Sequence, residues 1–195
     1  KAHEYTNASS TGLLDAKQRT WDMEIISALG LPERLFAAPP QRPPVKLGRL
    51  KADIAREVGF SCDVLLPATH DTASAIAALP QKGTAYISSG TWSLLGAELD
   101  QPITTPAAMK ANFTNEGGVG TIRFLKNIMG LWLVQCLKRE LADKYSFAQL
   151  AEMARDQANF DYRLDVNSAR YLAPKSVTAE IDRECGQKGW PVPQT

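Results

Sequence analysis

An aspartate stands between an apolar segment and a run of small residues, at Asp71 within 68–74, Ala-Thr-His-Asp-Thr-Ala-Ser. The apolar residues 64–68 have the length and flanks of a short buried strand, and the small residues predict a tightly packed helix. Ligands of open α/β sheets collect where such strands end. A carboxylate there can accept helix amides, stay ionised and act as a base. Aspartate is common at helix starts, so an aspartate that only caps the helix is the other interpretation, and the spacing leaves both open.

A second candidate is the turn at 88–93, Ser-Ser-Gly-Thr-Trp-Ser. Gly90 permits a tight turn, while the hydroxyl of Thr91 and the turn amides can hold phosphate oxygens. Serine and glycine also populate ordinary hairpin turns, so an ordinary turn stays open as the alternative. The glycine loop at 115–118 lacks the Walker spacing and is weak evidence alone.

Two side-chain amides, Asn127 and Gln135, are eight residues apart on a predicted long apolar helix over 125–141. That spacing puts both on roughly one helical stripe. Buried amides need partners, which are either backbone groups or ligands. Gly130 within this helix indicates a close neighbour or a tolerated defect. Trp92 and Trp132 are predicted to be core residues rather than stacking platforms.

The elements that must position these residues alternate between helices and strands, which predicts an α/β protein. The polar opening, 4–12, is predicted to be a connection rather than a core element. The other expectations are a helix capped by Thr20 and ending at Gly30, an extended proline-rich segment at 39–44, a helix at 53–58 closed by Gly59, a helix at 72–79 ended by Pro80 and Gly83, strands at 84–89 and 92–98, a strand pair at 112–116 and 121–124, a helix with a Ser146–Gln149 capping box, and a helix at 177–185.

Composition narrows the class of protein. The chain is 44% hydrophobic and 22% charged, with a formal net charge of +1, so it carries no basic field for nucleic acid or membrane surfaces. The absence of a long apolar run predicts a soluble, cytoplasmic protein. Three separated cysteines, Cys62, Cys136 and Cys185, predict reduced thiols, with neither a disulfide framework nor a zinc site. A start at Lys1 rather than methionine predicts a segment of a longer polypeptide.

Four motifs occur in a fixed order along the chain: ATHDTASAIAA, AYISSGTWSLLGAEL, NFTNEGG and RFLKNIMGLWLVQ. In this combination the sequence resembles the FGGY family of carbohydrate kinases, in particular its rhamnulokinase branch. The opening EYTNASSTGLLD also resembles the end of that family's first domain.

The resemblance implies the duplicated, two-domain ribonuclease H-like fold of the actin and hexokinase type, with ATP and sugar in the cleft between domains. Residues 1–15 would end the N-terminal domain or form the junction. Residues 16–195 would be the first portion of the C-terminal domain, so the rest of the kinase polypeptide would be needed to complete the cleft.

The resemblance also implies the roles of particular residues. Asp71 would be the catalytic base, with ATP and Mg²⁺ required but no protein metal ligand identified. The implied reaction transfers the γ-phosphoryl group of ATP to the 1-hydroxyl of L-rhamnulose. The sugar contacts would be His70, Asp71, Thr72 and Asn127, and the nucleotide contacts Thr91 and Gln135.

Two features of the family's pattern are missing. The N-terminal phosphate loop and the late double-glycine motif that packs on adenosine are absent from the chain, so this segment alone is expected to be inactive. The loops 80–84 and 117–121 also look short for the family.

Alternatives remain open at this level. They are an FGGY kinase for another sugar such as L-fuculose or D-xylulose, a non-catalytic sugar- or nucleotide-binding relative, and an actin-like or chaperone ATPase. The last of these predicts a water-activating site without sugar contacts, and the sequence at 70–72 argues against it.

Overall fold

The computed structural model describes residues 2–79, 84–157 and 162–193. The predicted helix end at Pro80 and Gly83, and most of the loop 80–84, lie outside these ranges. The chain forms two compact units. The first unit comprises Lys1–Ile87 and Leu95–Lys126, and the second comprises Ser88–Leu94 and Asn127–Thr195.

Helices and strands alternate along the chain, as predicted. The strands are β1 Leu14–Asp15, β2 Thr20–Trp21, β3 Val45–Arg49, β4 Asp63–Leu66, β5 Ala85–Ser88, β6 Trp92–Leu99, β7 Thr114–Gly117 and β8 Ile122–Met129. The α-helices are α1 Tyr5–Ser9, α2 Met23–Ala28, α3 Ala52–Val58, α4 Asp71–Ala77, α5 Pro106–Lys110, α6 Trp132–Glu140, α7 Phe147–Asp156 and α8 Val177–Lys188. Short 3-10 helices occupy Glu33–Leu35 and Ala169–Tyr171.

In the part of the chain that the structure describes, the strands form three sheets. β1 pairs with β2, β3 pairs with β4, and the largest sheet has the order β5-β6-β8-β7. β5 and β6 are neighbours joined by three residues, which confirms the predicted hairpin around the 88–93 turn. β7 and β8 are antiparallel, with Thr114 opposite Leu125 and Gly117 opposite Ile122. The glycine loop is therefore the turn of a hairpin.

The strand before Asp71 differs from the prediction. Among the described residues β4 pairs with β3 alone, in an antiparallel two-stranded sheet, and its residues alternate between exposed and half-buried. The prediction of a buried strand was wrong because a short apolar run is equally compatible with a strand that has one open face. The corner between β4 and α4 is nevertheless present where it was expected.

The polar opening is a helix, not a connection. α1 buries Tyr5, Thr6 and Ala8. It packs against β7, where a side chain on Gly117 would come within 2.6 Å of the Tyr5 ring, and the Ser9 hydroxyl accepts a hydrogen bond from the Gly117 amide at 2.7 Å. The glycine in NEGG thus provides room for α1.

The predicted long helix over 125–141 was also wrong. Residues 122–129 form β8, and the helix α6 begins only at Trp132. Apolar residues recur in this segment at positions that suit either period, and tertiary pairing with β7 decides in favour of the strand. Asn127 therefore lies on a strand and Gln135 on a helix, so the two do not share a helical stripe.

Local signals predicted several helix ends. Ser146 and Gln149 form the capping box of α7, and Gly59 ends α3 in a left-handed conformation with φ of 78°. At α2 the cap is Asp22, whose carboxylate accepts the Ile25 amide; the prediction of Thr20 was wrong, because Thr20 belongs to β2.

The apolar core of the first unit includes a cluster of Ala8, Trp21 and Ile26. In the second unit α6 packs against α8, and Val177, Cys185 and Tyr171 are almost fully buried. All three cysteines are free. Among the described helices, none is both long and apolar enough to span a membrane.

Candidate functional site

The corner between β4 and α4 presents Asp71 to solvent. Its side chain is 99% exposed, while the adjoining His70 side chain is 21% exposed. The Asp71 carboxylate accepts a hydrogen bond from the Thr72 amide at 2.6 Å, and a longer one from the Thr72 hydroxyl at 3.3 Å. Three of the four residues that the family resemblance assigns to the sugar are therefore consecutive, with the solvent-exposed carboxylate of Asp71 at their centre.

The electrostatic surroundings keep this carboxylate ionised. The hydrogen bond from the Thr72 amide, followed by the charges of His70 and Arg123, holds the pKa of Asp71 below its ordinary value. The His70 Nδ1 atom lies 3.4 Å from an Asp71 oxygen. A proton acceptor that is exposed and ionised at neutral pH is what a base toward a bound hydroxyl requires.

The helix-cap interpretation of Asp71 receives no support from the geometry. His70 has the extended backbone of the N-cap position, with φ −77° and ψ 119°, and Asp71 is the first residue of α4. An N-cap side chain accepts an amide two or three residues further on, whereas the Asp71 carboxylate accepts that of its neighbour Thr72. Its acidic charge still complements the helix dipole.

The turn between β5 and β6 brings the two predicted nucleotide residues together. The Gln135 Nε2 group donates to the Thr91 Oγ1 atom at 3.1 Å, within the second unit. Since the threonine oxygen accepts this bond, its own hydrogen is free to point to another acceptor. The sequence had separated these two residues by 44 positions and gave no geometric reason to join them.

The start of α6 is bound to the same turn through the backbone. The amide of Leu131 donates to the Gly90 carbonyl at 2.9 Å, and that of Trp132 donates to the Thr91 carbonyl at 3.1 Å. A side chain on Gly130 would approach the Gly90 carbonyl oxygen to 2.3 Å. The close neighbour that Gly130 indicated is therefore the turn itself.

Asn127 and the tryptophans differ from expectation. Asn127 is exposed on β8 and does not take part in the hydrogen bond between Thr91 and Gln135. Trp92 is 47% exposed, so its prediction as a core residue was wrong. Its ring stacks on that of Trp132 with centroids 6.5 Å apart and 12° between the planes. The ring contact thus joins the first residue of β6 to the first residue of α6.

The donor chemistry at the turn fits a phosphate-bearing ligand better than a protein-bound metal. The exposed Thr91 hydroxyl can donate to a phosphate oxygen, and the amide side chain of Gln135 adds a second polar group. In the ranges that the structure describes, no three His, Cys, Asp or Glu side chains are grouped as metal ligands. A magnesium ion would take its ligands here mainly from phosphate and water.

Sequence reasoning missed Glu4, whose carboxylate is bonded to Thr69 in the corner between β4 and α4. The side chain is only 5% exposed, and its carboxylate accepts both the amide and the hydroxyl of Thr69, at 3.0 and 2.8 Å. Glutamate is not a favoured N-cap residue, so nothing in the sequence near Glu4 indicated a link to a segment 65 positions away.

Known proteins resemble the chain in sequence and in fold. Residues 85–179 match the C-terminal domain of the FGGY family of carbohydrate kinases. A rhamnulokinase from Halalkalibacterium halodurans is 47% identical over 100% of this chain and 42% of that protein. One from Bacillus subtilis is 43% identical over 98% of this chain and 40% of that protein. The chain thus spans about two fifths of the length of these relatives.

Solved structures give the fold. A ligand-bound xylulose kinase from Lactobacillus acidophilus superposes with a TM-score of 0.63 at 19% identity, over 80% of this chain and 32% of that one. A xylulose kinase from Rhodospirillum rubrum gives 0.63 at 16% identity, over 81% and 32%. The predicted α/β, ribonuclease H-like fold is confirmed. With sequence identity that extends over its whole length, the chain belongs to the FGGY family of carbohydrate kinases.

Proposed function

We propose that the chain is part of an ATP-dependent rhamnulokinase, which transfers the γ-phosphoryl group of ATP to the 1-hydroxyl of L-rhamnulose. The observation that carries this proposal is the exposed, ionised carboxylate of Asp71 in a chain 47% identical to a rhamnulokinase. The products are L-rhamnulose 1-phosphate and ADP. A cytoplasmic location stays a prediction from the sequence.

In the proposed mechanism His70, Asp71 and Thr72 hold the sugar and Asp71 accepts the proton of the 1-hydroxyl as its oxygen attacks the γ-phosphorus. Phosphoryl transfer depends chiefly on alignment and charge stabilisation. A proton acceptor that stands between two sugar-binding residues suits this reaction. The depressed pKa keeps Asp71 ready to accept that proton at neutral pH.

The nucleotide is assigned to the turn at 88–93. The Thr91 hydroxyl, oriented by Gln135, would donate to a phosphate oxygen, and Asn127 on β8 would contact the sugar. Mg²⁺ would accompany the phosphates and neutralise their charge. We assign residues 1–15 to the junction with the N-terminal domain and 16–195 to the first portion of the C-terminal domain; the remaining polypeptide would complete the cleft.

The test is ATP-dependent ADP release by the full-length parent protein with L-rhamnulose, L-fuculose and D-xylulose. We expect L-rhamnulose to give the highest kcat/KM, and Asp71→Asn to lower kcat by about a hundred- to ten-thousandfold with an unchanged circular dichroism spectrum. A preference for another sugar would replace the substrate assignment. Unchanged turnover in Asp71→Asn would remove the assignment of the base.

A further inference from the structure

A buried hydrogen-bond network joins α1 to the segment that carries Asp71. One Glu4 oxygen accepts the Thr6 amide at 2.8 Å. The other accepts the Thr6 hydroxyl at 2.5 Å, the Asn7 amide at 3.1 Å, and the amide and hydroxyl of Thr69 at 3.0 and 2.8 Å. The carboxylate therefore binds its own helix and a segment 65 residues away.

Thr6 extends the network by one residue toward the base. Its side chain is fully buried, and its Oγ1 atom accepts the His70 amide at 3.2 Å while donating to Glu4. The backbone amides of Thr69 and His70, the two residues before Asp71, are thus both held from α1. Hydrogen bonds from consecutive amides fix the direction in which the chain enters α4.

Backbone hydrogen bonds also join the residues on either side of Glu4 to Gln41. The Tyr5 amide donates to the Gln41 carbonyl at 2.9 Å, and the Gln41 amide donates to the His3 carbonyl at 2.7 Å. Burial raises the pKa of Glu4, but the hydrogen bonds from Thr6 and Thr69 outweigh it and leave the pKa below its ordinary value. An ionised carboxylate can accept all five of these hydrogen bonds without a competing proton.

We propose that Glu4, acting with Thr6, is a positioning residue that fixes the backbone at 69–70 and thereby the placement of Asp71 toward the sugar hydroxyl. This inference rests on the proposed function of Asp71. Positioning is a separate requirement from basicity, because a displacement of about 1 Å at a reacting group can lower the rate about a hundredfold.

Glu4→Gln in the full-length parent is the first test. The amide nitrogen cannot accept a hydrogen bond at the position of the carboxylate oxygen that it replaces. In one orientation the Thr6 amide loses its acceptor, and in the other the Asn7 amide and both Thr69 donors lose theirs. We expect kcat with L-rhamnulose to fall about ten- to a hundredfold, the KM for ATP to stay within about twofold, and the amides of 69–70 to exchange hydrogen faster.

Glu140→Gln is the matched control. The Glu140 carboxylate likewise accepts amides and hydroxyls, from Ser176, Val177 and Thr178, in the second unit. Because Glu140 is exposed, the substitution should lower thermal stability to a smaller degree, without changing kcat or the exchange at 69–70. If Glu4→Gln changed stability alone, as Glu140→Gln does, the proposal would be overturned.

A second pair of variants keeps the test decisive if Glu4→Gln does not fold. Thr6→Val removes the hydroxyl that accepts the His70 amide, whereas Thr6→Ser retains it. We expect Thr6→Val to lower kcat about tenfold and Thr6→Ser to restore most of it. Equal kcat in both would contradict the proposal. If the wild-type parent phosphorylates none of the sugars, the proposed function fails, while amide exchange still decides whether Glu4 fixes 69–70.

Discussion

Asp71 combines two properties that suit its proposed role as the base: a fully exposed side chain and a pKa below the ordinary aspartate value of 3.8. The cause is local, because the hydrogen bond from Thr72 and the nearby positive charges stabilise the carboxylate without burying it. A base with these properties is active over the whole neutral range and loses activity only in strong acid.

The lowered pKa of Asp71 determines the pH dependence that we expect of the parent kinase. As the proposed base, Asp71 acts when deprotonated, and its pKa lies below 3.8, so kcat/KM for the sugar should show no acid limb from this group between pH 8 and 5. The measurement is the pH profile of kcat/KM in the parent and in His70→Gln, which lacks the neighbouring imidazole. An acid limb with an apparent pKa above about 5 in that variant would contradict the assignment.

The Thr91 hydroxyl should matter for the nucleotide and not for the sugar. Because a hydrogen bond to a charged acceptor contributes about 1.5–3 kcal/mol, Thr91→Val should raise the KM for ATP by about tenfold or more. Thr91→Ser keeps the hydroxyl and serves as the control. Equal ATP affinity in the two variants, measured by steady-state kinetics of the parent, would show that the hydroxyl does not contact the nucleotide.

At the scale of elements, the residue that follows β8, Gly130, contacts the 88–93 turn closely. This contact is possible because glycine has no side chain. The atoms that a Cβ would meet are the Gly90 carbonyl oxygen at 2.3 Å, the Ser93 hydroxyl at 2.5 Å and the Ser93 amide at 2.9 Å. Two of the three belong to the backbone and cannot rotate away. The turn would have to shift.

Gly130→Ala should therefore destabilise the chain by about 1–3 kcal/mol and weaken ATP binding in the parent. Gly186→Ala is the same substitution in α8, where a Cβ meets nothing within 4 Å, and should stabilise by about 0.5–1 kcal/mol. Urea unfolding of the two variants checks this difference in sign. Gly130→Ala as stable as wild type would mean that the turn yields easily.

A buried carboxylate joins α8 to the 3-10 turn before it. Glu184 is 3% exposed and accepts the Tyr171 hydroxyl at 2.7 Å, the Asp165 amide at 3.3 Å and the Lys188 ammonium. Burial raises the pKa of Glu184, but bonds from Lys188, Tyr171 and the Asp165 amide outweigh it and lower the pKa to about 2. The same burial, with the bond to Glu184, raises the pKa of Tyr171.

This network predicts a loss of stability in acid. A depressed carboxylate pKa contributes stability that is complete above its ordinary value of 4.5 and is lost as the pH falls toward 2. Glu184→Gln should cost about 1–3 kcal/mol at pH 7 and distinctly less at pH 3, in urea unfolding. Glu180→Gln, whose partner Arg183 is 59% exposed, should cost under about 1 kcal/mol. An equal cost of Glu184→Gln at both pH values would contradict the pKa.

These elements also separate what sequence can predict from what it cannot. The capping box at Ser146 and the glycine end of α3 depend on residues within one helical turn, so they could be predicted. The strand β8 depends on pairing with β7, and its composition fits a helix as well. The bond between Glu4 and Thr69 spans 65 positions, and the bond between Thr91 and Gln135 spans 44. Local patterns contain no information about such pairs.

For the molecule as a whole, the first unit carries the proposed sugar residues at 70–72, and the second carries Thr91, Asn127 and Gln135. Both groups are present, yet the chain covers only 42% of the rhamnulokinase that it matches at 47% identity. By family resemblance, the N-terminal phosphate loop and the adenosine-packing motif belong to the remaining length. The proposed base is therefore present without the groups expected to hold the far side of the nucleotide.

The last prediction concerns the activity of the chain without those nucleotide-binding groups. The 195-residue chain alone should release ADP with L-rhamnulose at least about a thousandfold more slowly than the full-length parent, because alignment of the nucleotide supplies most of the rate in phosphoryl transfer. A native-like circular dichroism spectrum and a cooperative thermal transition must accompany the measurement, so that loss of fold is not mistaken for loss of alignment. Sugar-stimulated turnover by the chain within about tenfold of the parent would mean that Asp71, Thr91 and Gln135 suffice to align both substrates.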